Sequence, residues 1–141
     1  MRAQRYKRIV ATLSRRQPDL TVAMENVHKT RNLGAVARTC DAVGIGRIHA
    51  IAPADTRVRL GHKSASGTER WLEVVHHASA DDAFASLRGS GFTLVAADVG
   101  PGACDFRDVD YVRPTALVLG SELELAERGV LLDRGDGVDK L

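Results

Sequence analysis

Apolar positions along the chain follow two rhythms, a helical period near 3.6 and short, nearly continuous runs. Residues 4–16 carry the first rhythm. Tyr6, Ile9, Val10 and Leu13 fall on one helical face, with Arg5, Arg8, Arg15 and Arg16 around the rest. Pro18 stops this helix, because the residue before a proline is pushed out of the α region. Leu20–Val27 then reads as a strand with Val22 and Met24 as core positions. In residues 32–43, Leu33, Val36, Ala37, Cys40 and Val43 repeat the helical stripe, with Asn32 suited to the N-cap and Gly44 to the position after the last turn.

The second half continues the alternation. Arg47–Ile51 is a short strand ended by Pro53, and residues 54–70 are polar, without a period, and read as a long surface loop. Trp71–His76 is a strand. Ser79 with Asp82 three positions on resembles a capping box and starts a helix to about Arg88, which Gly89 and Gly91 end. Phe92–Val99 is a nearly continuous apolar run of the kind covered on both faces, and Thr115–Leu119 is a further strand. Strands alternating with helices predict an α/β fold, a mostly parallel sheet with helices on both faces. Ligands in such sheets bind beyond the carboxyl ends of the strands, here after Val27, Val99 and Leu119.

Composition adds limits. At 141 residues the chain fits one domain, and 44% hydrophobic with 27% charged residues is ordinary globular usage. No run approaches the roughly 18 apolar residues of a membrane helix, so no membrane partner is expected. No apolar segment follows the basic N-terminus as a secretory signal requires, and Cys40 and Cys104 match no metal or redox spacing. The expected setting is the reducing cytoplasm. The net charge of +2 hides an asymmetry: residues 1–47 carry ten Lys/Arg against three Asp/Glu, whereas the remainder carries ten against fifteen. A basic N-terminal half suits a polyanion such as nucleic acid, and equally a solvated arm.

Few motifs carry chemistry. Val43-Gly44-Ile45-Gly46-Arg47 lacks the third glycine of a dinucleotide fingerprint and sits between helix and strand, and no phosphate loop exists. His76 and His77 alternate faces on a strand, so no metal site is expected. More informative is the run from Glu25 to Gly44, in which a strand enters a loop with Lys29 and Arg31 and then a helix whose start favours a phosphate. Arg38, in the middle of a small and apolar helix, either reaches an anion or snorkels to the edge.

Asn32-Leu33-Gly34-Ala35-Val36-Ala37-Arg38-Thr39 resembles the first motif (N-x-x-A-x-x-R-T) of the SpoU/TrmH family of RNA 2′-O-ribose methyltransferases. Arg16–Val22, Glu25–Lys29 and Asp105–Tyr111 are similar to the branch that methylates a guanosine in the tRNA D-loop. Leu117–Glu122 resembles the start of the second motif (L-x-x-G-x-E). The resemblance implies an α/β knot fold, S-adenosylmethionine as methyl donor, tRNA as substrate and a homodimer. It further implies Arg38 as the catalytic arginine with Asn32 beside it, and Ala97, Gly120 and Glu122 along the donor. Arg5, Arg8, Arg15, Arg16, Lys29 and Arg31 would bind RNA.

The resemblance also implies a division into an RNA-binding helix (1–18), a methyltransferase domain (19–124) and a divergent tail (125–141). Leu125 stands where the second motif has glycine, and Ala97 where threonine is common. The third motif, an S-L-N-V-S-like helix start that completes the knot, is absent from Ala126–Leu141. The expectation is therefore a C-terminally truncated or frameshifted family sequence, the alternative being a non-catalytic RNA-binding remnant.

Overall fold

Val22, Ala23, Met24, Leu94, Val95 and Ala96 are all buried in the computed structural model, as unbroken apolar runs require when helices cover both faces of a sheet. The structure describes residues 2–25, 30–53, 60, 67–97, 103–120 and 138–140. The elements are α1 (Ala3–Leu13), β1 (Leu20–Glu25), α2 (Thr30–Val43), β2 (Arg47–Ile51), β3 (Glu73–His77), α3 (Ala80–Gly89), β4 (Thr93–Ala96), β5 (Thr115–Leu119) and β6 (Val138–Lys140), with 3₁₀ turns at Thr68–Arg70 and Phe106–Asp108. The strands form one sheet in the order β3-β2-β1-β5-β4-β6, every neighbouring pair parallel. The expected parallel α/β sheet is present. Its sixth strand lies in the tail expected to diverge.

Alternation along the strands divides the core in two. Val22, Met24, Ile48 and Ala50 pack with Leu33, Ala37 and Cys40 of α2. Ala23, Leu94, Ala96, Ala116 and Val118 pack on the other face with Ala80, Ala83, Phe84 and Leu87 of α3. Ser79 caps α3 as its sequence predicts, its hydroxyl accepting from the Asp82 N–H at 3.1 Å.

Several boundaries differ from expectation. α1 ends at Leu13, three residues early, where the Thr12 and Ser14 hydroxyls bond back to the Arg8 and Ala11 carbonyls and the chain turns. Its apolar stripe does not enter the core: Tyr6, Val10 and Leu13 are exposed, and no residue of α1 is buried. β3 begins at Glu73 rather than Trp71, which is exposed. The predicted strand ends at Val27 and Val99, and most of the predicted loop, lie outside the described residues.

Candidate functional site

Three neighbouring strands, β1, β5 and β4, end at the same edge of the sheet. Met24 of β1 lies opposite Leu119 of β5, and Val118 of β5 opposite Ala96 of β4. The Ala97 N–H continues this pairing by donating to the Val118 carbonyl at 3.0 Å. Ala97 and Gly120 therefore leave the sheet side by side, both exposed. Neither the spacing of 23 positions nor a motif joins them; the strand order does. Glu25, which closes β1 at this edge, is buried, an unusual place for a carboxylate and one that sequence reasoning did not single out. Glu122 lies outside the described residues, as does Lys29.

α2 starts at this same edge with Thr30, so Arg31 and Asn32 stand in its first turn, both exposed. Asn32 is the third helical residue and not the N-cap, because the helix begins three residues earlier than its capping chemistry suggests. Leu33, Ala37 and Cys40 turn inward. Arg31, Ala35, Arg38 and Ala42 form the exposed outer stripe at helical spacing, with the two guanidinium-bearing positions about 10 Å apart along the axis. Asn32 stands about a third of a turn away from this stripe. Arg38 thus emerges from an open helix face and not from an apolar one.

The basic arm splits into two kinds of residue. Arg5, Arg8 and Arg15 are exposed. Arg16 is engaged within the protein: its Nη2 meets Asp41 Oδ1 at 2.6 Å and its Nη1 donates to the Ile45 carbonyl at 2.9 Å. Cys40 is excluded as a nucleophile, since burial pushes its thiol up to about 11 and keeps it protonated.

A profile of the SpoU rRNA methylase family matches residues 19–130, most of the chain. The chain belongs to the SpoU rRNA methylase family. It is 41% identical over 140 residues to the tRNA (guanosine(18)-2′-O)-methyltransferase of Escherichia coli K12, covering 94% of this chain and 61% of that protein. The protein of the same name from Thermus thermophilus is 45% identical over 118 residues, covering 84% of this chain and 60% of that one. The chain thus spans about three fifths of the length of these relatives. Among solved structures, the TrmH/SpoU tRNA modifying enzyme of A. aeolicus superposes with a TM-score of 0.78 at 29% identity, covering 96% of this chain and 68% of that one.

In this SpoU-family chain a second polar cluster lies on the sheet's opposite, amino-terminal side. A cavity of about 410 Å³ there is lined by Arg16, Leu20, Arg47, His49, Leu87 and Phe92 among others, and Arg16, Arg47 and His49 each bond to a partner within the protein. His49 Nδ1 and His77 Nε2 lie 2.8 Å apart with the rings stacked, so one nitrogen must carry the proton and the other accept. Among the described residues no group of three ligating side chains includes this pair.

Burial, then the neighbouring His77 and Arg47, push His49 down from 6.5 to about 4, against a weaker upward pull from Glu73. His77 is lowered as well, by burial first. Between these values the unfolded chain takes up a proton at His49 that the folded chain refuses. Stability is therefore intact above about pH 6.5 and falls as the pH drops toward about 4. Urea unfolding at pH 7.5 and 5.0 checks this, and His49→Gln should flatten the difference. An unchanged pH dependence in that variant would remove the His pair as its source.

Proposed function

We propose that the chain acts as an S-adenosylmethionine-dependent 2′-O-ribose methyltransferase on tRNA, at a guanosine of the D-loop. The observation that carries this reading is the shared edge: the α2 helix bearing Arg31, Asn32 and Arg38 begins where Ala97 and Gly120 leave the sheet. The names of the E. coli and T. thermophilus relatives support the substrate. In this reading the setting is the cytoplasm and the assembly a homodimer. Among the described residues no helix is long and apolar enough to cross a membrane.

S-adenosylmethionine, when bound, supplies an electrophilic methyl group on a sulfonium. Ala97, Gly120 and Glu122 would hold it, and the residues present fit: two exposed backbone segments lie side by side, one of them without a side chain to block close approach. Arg38 binds a phosphate beside the reacting ribose and stabilises the negative charge that builds on the ribose 2′-oxygen as its proton passes to solvent. A guanidinium stays protonated at neutral pH, so Arg38 acts not as a base but as a charged, planar double donor that holds two oxygens at once. Asn32, about one and two-thirds turns earlier, offers an amide to the same RNA segment. Arg5, Arg8, Arg15, Lys29 and Arg31 supply phosphate contacts, which position the RNA without reading its bases.

Transfer of tritiated methyl from S-adenosylmethionine to unmodified tRNA by the purified chain tests the proposal. Donor-dependent incorporation is expected, and incorporation no higher than a protein-free control rejects the reading.

A further inference from the structure

The arm α1 buries none of its residues, yet its junction with the domain is closely fastened. Helix α2 ends at Val43, leaving carbonyl groups without helical partners and the negative end of its dipole. The junction supplies what that end lacks. Gln17 Nε2 donates to the Val43 carbonyl at 2.6 Å, the Gln17 N–H to the Gly44 carbonyl at 2.9 Å, and Arg16 Nη1 to the Ile45 carbonyl at 2.9 Å. Arg16 Nη2 pairs with Asp41 at 2.6 Å, with the Arg16 side chain only 14% exposed. Gly44 adopts φ +90°, and a Cβ there would meet the Arg15 carbonyl oxygen at 2.8 Å. Only glycine lets the two segments approach so closely.

Asp41 stands three residues, less than one turn, after Arg38 on α2. The fastening therefore links the arm to the helix that carries the proposed catalytic arginine. Resting on the reading given under Proposed function, we propose that Arg16 is a positioning residue, not an RNA contact. Its pair with Asp41 sets the direction in which Arg5, Arg8 and Arg15 meet RNA relative to Arg38.

Charge alone and positioning make opposite predictions for Asp41→Asn. Removing an acid from a phosphate-binding surface strengthens RNA binding when only charge counts. Positioning predicts that Asp41→Asn weakens tRNA binding about tenfold at 0.1 M salt, with a shallower salt dependence approaching that of a chain lacking residues 2–14. Arg16→Gln should do the same, and the double variant should be no worse than either single one. Arg16→Lys, which keeps a charged donor in reach of Asp41 and the Ile45 carbonyl, should retain most of the affinity that Arg16→Gln loses, a difference that a general loss of fold would not give. Asp41→Asn binding as tightly as the parent, or tighter, with the parent salt dependence overturns the inference while leaving the functional reading standing. No salt-sensitive tRNA binding by the parent chain removes the functional reading instead.

The joint can also be read without RNA. Nitroxide labels at Lys7→Cys and Ala42→Cys, with Cys104→Ser, should give a narrow distance distribution that Asp41→Asn broadens. An unchanged distribution overturns the inference whether or not tRNA binds.

Discussion

Arg38→Lys lowers the rate of tRNA methylation by about 10²–10³-fold while tRNA affinity changes less than tenfold. The expectation rests on where Arg38 stands. It projects from the exposed stripe of α2 within a helix whose other stripe is locked into the core by Leu33, Ala37 and Cys40. Lysine keeps the charge but loses the planar fork that holds two oxygens at once, so a uniform electrostatic role would survive the change and a geometric one would not. Single-turnover transfer with saturating tRNA separates the two. A rate within threefold of the parent would take Arg38 out of the reacting centre.

The second large effect concerns the arm. Replacing Arg5, Arg8 and Arg15 together by Gln lowers the slope of log affinity against log salt by about 3, one for each phosphate that is no longer neutralised. These side chains are exposed and α1 buries nothing, so the change leaves the core untouched. Transfer at saturating tRNA should stay close to the parent rate, since in the proposed reading the arm positions RNA and does not touch the reacting atoms. Filter binding between 50 and 300 mM salt gives the slope. A slope equal to the parent's means that these three side chains meet solvent alone.

Much of the fold was legible where local chemistry and burial agree. Arg47–Ile51 and Thr115–Leu119 fall at the predicted residues because apolar runs, a following proline and a following glycine mark them. Ser79 caps α3 because its hydroxyl meets the third N–H on. What was not legible depends on pairings across the chain. The stripe of Tyr6, Val10 and Leu13 marks one face of α1 but cannot say that nothing covers it. Arg16 reads as one more basic residue of the arm until Asp41, 25 positions away, accepts from it. His49 and His77 are 28 positions apart and meet only through the pairing of β2 with β3.

The candidate site divides in the same way. The Arg31 and Arg38 stripe follows from a seven-residue interval, whereas the adjacency of Ala97 and Gly120 needs β5 to lie between β1 and β4. Asn32 misled as a cap because capping propensity is local and weak, and the helix is carried past it by packing against the sheet.

This chain is proposed to place a methyl group on a ribose 2′-oxygen of tRNA. The most direct measurement is nuclease digestion of unmodified tRNA after incubation with the chain and methyl-labelled S-adenosylmethionine, followed by mass spectrometry of the fragments. One 2′-O-methylguanosine is expected within the D-loop fragment, formed about 10²–10³-fold more slowly with Arg38→Lys. Methyl label on a base, or unlabelled tRNA under conditions where the chain is folded, would contradict it.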